Sequence, residues 1–125
     1  MHLTKTLLFL VVCSFFISVQ GCKSLEKSKE DAPVFYYFYS PTCPHCKAAE
    51  GYIKNISEKH PELKLEKINI YDSQENQEFY KKTLKKHGLR SGVPLFIMGD
   101  SHVRGFSKKS GGKRIESMIS KEKGK

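Results

Sequence analysis

Six β-prone residues, Val34-Phe35-Tyr36-Tyr37-Phe38-Tyr39, lie between Pro33 and Pro41 and lead straight into Cys43-Pro44-His45-Cys46. The run is apolar on both alternating faces, and a strand of that kind has to be covered on both sides. Pro44 suits the first turn of a helix, because it has no N–H to leave unpaired there. Ala48, Ala49, Tyr52, Ile53 and Ile56 recur at helical spacing up to His60-Pro61, which predicts a helix from Pro44 to about Lys59. The two cysteines therefore fall on one helical turn, at a strand-to-helix junction of a layered α/β body.

The remaining pattern fills in that body. Leu63, Leu65, Ile68 and Ile70 predict a second strand over 63–71. Ser73 is the expected N-cap of a second helix carrying Phe79, Tyr80 and Leu84 and ending at Gly88. A third strand is expected over 94–98, with Pro94 at its first position, where proline is tolerated. Gly99-Asp100 reads as a two-residue hairpin turn into a fourth strand over 101–106. Ser107 to Gly112 reads as a loop, Ile115, Met118 and Ile119 mark one face of a last helix, and residues 122–125 read as a flexible tail. The order is β-α-β-α-β-β-α, an α/β class with a four-stranded mixed sheet flanked by helices. Its first half is a parallel crossover unit, and its second half a hairpin with a covering helix.

The N-terminal segment does not belong to the domain. Lys5 is followed by a 13-residue apolar run, Leu7 to Val19, short for a bilayer span and right for the apolar region of a secretory signal. The run closes in Val19-Gln20-Gly21-Cys22, which resembles a bacterial lipoprotein signal, although Gln20 stands where a small residue is usual. That resemblance implies a signal over residues 1–21, lipidation of Cys22, and a protein exported to the periplasm or extracytoplasmic space and held on a membrane. The charged segment 22–32 then serves as a polar tether to a domain over 33–121.

Cysteine arithmetic follows from that reading. On that resemblance Cys13 leaves with the signal, Cys22 carries lipid, and Cys43 and Cys46 stay as the thiols of the folded part. The alternatives are a short N-terminal membrane anchor and ordinary cleavage nearby, which leaves Cys22 a free thiol. An oxidising compartment permits disulfide chemistry. A bridge that closes so short a loop constrains the unfolded chain very little. The pair is thus read as chemical and not as a structural staple.

There are 22 Lys and Arg against 13 Asp and Glu, and loss of Lys5 leaves a charge of +8. The lysines are spread through helices and tails without the interleaved aromatics of a nucleic-acid groove. They read as solvated faces, able to add weak attraction to anionic lipid, with no nucleic-acid partner.

A disulfide exchanger needs one accessible nucleophilic thiol and one resolving thiol within reach. Cys43 stands at the helix N-terminus, where unpaired N–H groups and the helix dipole favour an anion, and protonated His45 would add to this. A stabilised thiolate is a good leaving group and makes the disulfide more oxidising. Cys46, one turn on, is expected to be buried and to attack the mixed disulfide formed at Cys43.

The element order, the CxxC at the first strand-to-helix turn and Gly92-Val93-Pro94 before the third strand resemble the thioredoxin fold over nearly all of residues 33–120. Cys-Pro-His-Cys is similar to the motif of DsbA-type oxidants, while the compact size and the stretch from Gly92 to Asp100 look like minimal glutaredoxin-like domains. The resemblance implies a protein thiol–disulfide oxidoreductase, oxidant in preference to reductase, with no cofactor beyond the Cys43–Cys46 disulfide. It implies protein thiols and disulfides as substrates and a membrane-associated redox partner. It also implies a cis Pro94 packed against the CxxC, with the Val93 backbone pairing to substrate. Two departures stand out. There is no room for the inserted helical domain of DsbA-type proteins. The buried acid that the family carries six residues before the first cysteine is Tyr37 here.

The chain reads as a monomer, since no dimerisation segment is visible. Gly111-Gly112 resembles the glycine pair that helps glutaredoxins hold glutathione, but a plain loop is the simpler reading. His60, His87 and His102 receive no role. The rival function is a soft-metal module holding Cu or Zn on the same CxxC. Its usual order, β-α-β-β-α-β, is not the order here. A non-catalytic adaptor is the third reading, against which the intact Cys-Pro-His-Cys argues.

Overall fold

The computed structural model describes residues 33–125. The expectations for residues 1–32, including the signal, the lipidated Cys22 and the tether, lie outside them. Seven elements follow in chain order: β1 (Val34–Tyr39), α1 (Pro44–Lys59), β2 (Lys64–Asn69), α2 (Gln74–His87), β3 (Leu95–Met98), β4 (Ser101–Arg104) and α3 (Gly111–Lys123). The sheet order is β2-β1-β3-β4, with β1 parallel to β2 and antiparallel to β3. The expected β-α-β-α-β-β-α α/β architecture is the one observed.

Alternation on β1 sorts its aromatic side chains onto two faces. Phe35 and Tyr37 join Phe96 and Met98 of β3 in a core that also holds Ala49, Ile53 and Ile56 of α1 and Ile115 and Ile119 of α3. Phe38 joins Leu95, Ile97 and Tyr80 in a second core under α2. Both central strands are thus covered on two sides, as their continuous apolar pattern required, and the sheet is fixed beneath the first turn of α1.

The helix ends follow their caps. Ser73 accepts from the Asn76 N–H at 3.1 Å and starts α2. Gly88 ends it in the left-handed region at φ 63°, which a residue with a Cβ rarely adopts. Gly99, at φ 56°, forms the expected turn between β3 and β4.

Several boundaries differ from expectation: β3 opens at Leu95, after Pro94, and α3 already begins at Gly111. β2 stops at Asn69, because the chain turns there: the Asp72 N–H donates to the Asn69 carbonyl at 3.3 Å, and Ile70 packs into the second core. β4 stops at Arg104, because Gly105 turns to φ 75°. The tail placed at 122–125 is in part helix: α3 runs to Lys123, and Glu122, nearly buried, accepts from the Ser101 hydroxyl at 2.6 Å. A charge pattern gives no notice of that tertiary contact. Among the described residues no helix is long and apolar enough to cross a membrane.

Candidate active site

Cys43 is itself the N-cap of α1. Its backbone is extended (φ −79°, ψ 118°) and its Sγ accepts from the Cys46 N–H at 3.3 Å, the position that a cap oxygen takes in most helices. Pro44 occupies the first turn without losing a hydrogen bond. The same Sγ is 3.6 Å from the Val93 carbonyl, to which its thiol donates. Cys43 is partly exposed, whereas Cys46 is 1% exposed, and both are free thiols. One sulfur can therefore meet a partner and the other can meet only its neighbour.

The Val93–Pro94 peptide is cis, as expected, and Pro94 is fully buried; the Cys43 contact with the Val93 carbonyl sets this loop against the cysteine turn. Val93 and Pro94 thus come together with Cys43 and Cys46. Pro44 and His45 stay on the solvent side of the same turn. A groove of ~380 Å³ opens beside Val93, lined by Ile70, Tyr71, Tyr80 and Leu84 among others.

Burial pushes the Cys46 thiol up to about 12. A hydrogen bond with the Cys43 side chain adds to this, and hydrogen bonds from the Ser40 backbone and the Tyr37 side chain work against it. Tyr37 is fully buried, and its hydroxyl donates to the Cys46 carbonyl at 3.1 Å. Burial, then the neighbouring Cys46 and Glu50, hold this phenol well above its ordinary range.

Two features escaped the sequence. The Tyr80 hydroxyl donates to the Gly92 carbonyl at 2.9 Å and accepts from the Gly92 N–H at 2.7 Å, tying the loop before Pro94 to α2. Tyr in place of Phe at a buried helical position was the one available signal, since a buried phenol needs a partner. The second is the pair Gly111-Gly112. It opens α3 and lies beneath aromatic rings, where a Cβ on Gly111 would stand 2.6 Å from Phe106 and one on Gly112 2.8 Å from Tyr52. Packing accounts for both glycines.

A family model described as Thioredoxin matches residues 22–121. The chain belongs to the thioredoxin family. Among solved structures it is similar to mitochondrial thioredoxin 3 of Saccharomyces cerevisiae (16% identity, 74% of this chain and 81% of that one, TM-score 0.58). It is also similar to thioredoxin O2 of Arabidopsis thaliana (22% identity, 74% and 76%, TM-score 0.52) and to a poplar thioredoxin h (20% identity, 75% and 82%, TM-score 0.54). At these identities the likeness speaks for the fold. The comparison with curated proteins returned no match. The soft-metal reading gains no support: the topology is that of thioredoxins, and among the described residues no three His, Cys, Asp or Glu side chains are placed to hold an ion.

Proposed function

We propose that this chain is a protein thiol–disulfide oxidoreductase that cycles between the Cys43–Cys46 dithiol and disulfide, held on the extracytoplasmic side of a membrane by lipid on Cys22. The observation that carries the reading is the unequal pair: an accessible sulfur at a helix N-cap, receiving an N–H and facing the Val93 carbonyl, beside a buried sulfur one turn away.

In the donor direction a substrate thiolate attacks Cys43 Sγ of the disulfide, and Cys46 leaves as a thiolate that is then protonated. A second substrate thiol attacks the mixed disulfide at its own sulfur, releasing Cys43 as a thiolate and forming the substrate disulfide. The helix N-terminus favours Cys43 as that leaving group, which stabilises the dithiol and makes the chain an oxidant. Val93, at the edge of the groove, offers its backbone to an extended substrate segment. Protein cysteines are the substrates, a membrane-associated redox protein restores the disulfide, and the domain works as a monomer without a further cofactor.

Substitution Cys46→Ser removes the resolving thiol. Running that second exchange in reverse, the variant's Cys43 thiolate attacks the disulfide of an oxidised partner protein and displaces one of its thiolates. The mixed disulfides that Cys46 no longer resolves are expected to accumulate in an extract of its own compartment as bands that collapse under reducing electrophoresis. Absence of such adducts, with Cys43 still reactive to a maleimide, would contradict the assigned order of attack.

A further inference from the structure

Among the described residues, Tyr37 is the fully buried titratable group beside the cysteine turn that the cycle above leaves without a task. Its ring is fixed: it lies 5.1 Å from Phe96 at 6° between planes and 5.3 Å from Tyr39 at 22°. The O–H rotor is free to choose its acceptor. With both cysteines as thiols the hydroxyl donates to the Cys46 carbonyl at 3.1 Å. That carbonyl belongs to Cys46 itself, and the two side chains are coupled: Tyr37 holds the thiol down while Cys46 holds the phenol up.

We propose that the Tyr37 hydroxyl is a positioning donor for the resolving step, bonded to the Cys46 carbonyl while Cys46 is a thiol and turned onto its Sγ as negative charge develops there. This rests on the exchange chemistry proposed above. When Cys46 resolves a mixed disulfide, its proton leaves to water and its Sγ bonds to Cys43 Sγ. The Cys43–substrate bond breaks, and the substrate departs as a thiolate. In the donor direction the same hydroxyl meets Cys46 as it leaves. Tyr37 keeps its proton throughout, so it stabilises the thiolate without acting as a base.

A donor that strengthens only as charge appears lowers the barrier more than it lowers the ground state. Among the described residues, the titratable and charged groups facing this pair are Cys43 at the cap of α1, Glu50 on α1, Tyr39 on β1 and Lys67 on β2. Glu50 and Lys67 are joined at 2.7 Å at the half-exposed rim. Val93 and Pro94 bring no charge from the facing loop.

The test is a two-step release. The reduced chain is mixed with limiting symmetric aromatic disulfide whose thiolate is coloured: attack by Cys43 frees one equivalent, and resolution by Cys46 frees the second. In Tyr37→Phe the first release is expected to be unchanged. The second is expected to slow about ten- to a hundredfold, the worth of a hydrogen bond to a charged group, and its rising pH limb to move to higher pH. A fluorotyrosine at position 37, a stronger donor of nearly the same shape, is expected to change the second step alone.

Equal second-step rates and pH profiles in the folded Tyr37→Phe protein would overturn the proposal, as would equal slowing of both steps. Should Tyr37→Phe not fold, an unchanged second step in the fluorotyrosine protein overturns it instead. A parent chain that never frees the second equivalent would contradict the exchange function itself, which separates the two failures.

Discussion

The first turns of α1 and α3 both lie on the same face of the sheet, and they are built for opposite ends. At α1 the cap is Cys43, whose sulfur accepts an N–H and looks out past Val93. At α3 the cap residue Ser110 makes no side-chain hydrogen bond to the turn, and Gly111 and Gly112 are pressed beneath Phe106 and Tyr52. Tyr52 even takes the Gly112 carbonyl as its acceptor at 2.8 Å. The difference teaches that an open helix N-terminus acquires chemistry from what faces it. A sulfur beside a loop carbonyl makes the proposed exchange site, and an aromatic ring makes a packing joint.

The comparison breaks most sharply by substitution on each side. Cys43→Ser is expected to abolish exchange and leave the fold intact, whereas Gly111→Ala is expected to keep exchange and lose stability. The added Cβ would meet the Phe106 ring at 2.6 Å. Overpacking of that kind costs about 1–3 kcal/mol. Urea unfolding together with insulin reduction assays would read both outcomes. Unchanged stability in Gly111→Ala, or lost exchange, would put α3 on the functional side of the comparison.

A smaller effect comes from the buried thiol beneath the α1 turn. Cys46 has an ordinary value of 9.0 that burial raises to about 12 in the folded chain. Between those values the unfolded chain has released the proton and the folded chain still holds it. The Cys46 contribution to the reduced domain's stability is therefore undiminished below pH 9 and is lost progressively as pH rises toward 12. Urea midpoints across that window should decline less steeply in Cys46→Ser, with the residual slope carried by Tyr37 and the other groups. Parallel slopes in the two proteins would mean that burial does not hold the Cys46 proton.

Much of this was written in local patterns. The aromatic β1, the CxxC turn and Ser73 and Gly88 as the ends of α2 are signals that a few neighbouring residues carry, and the structure has them where the pattern put them. The cis Pro94 came from resemblance, because nothing in the chain's own spacing distinguishes it from an ordinary strand opener. Glu122, Tyr80 and the glycine pair were opaque for a common reason. Each owes its place to a partner well away in the chain: Ser101 for Glu122, Gly92 for Tyr80, and Tyr52 for Gly112. Tyr37 lay between the two kinds. Its burial was legible from the unbroken apolar run of β1, and its hydroxyl's partner, Cys46, was not.

The central claim is that Cys43 and Cys46 form an oxidising two-electron couple. Equilibrating the purified domain against glutathione redox buffers and quantifying the dithiol by alkylation measures this directly. The account predicts a single two-electron transition near the value of DsbA, about −120 mV. A transition near that of thioredoxin, about −270 mV, would contradict the oxidant direction, and no two-electron transition at all would contradict the exchange function.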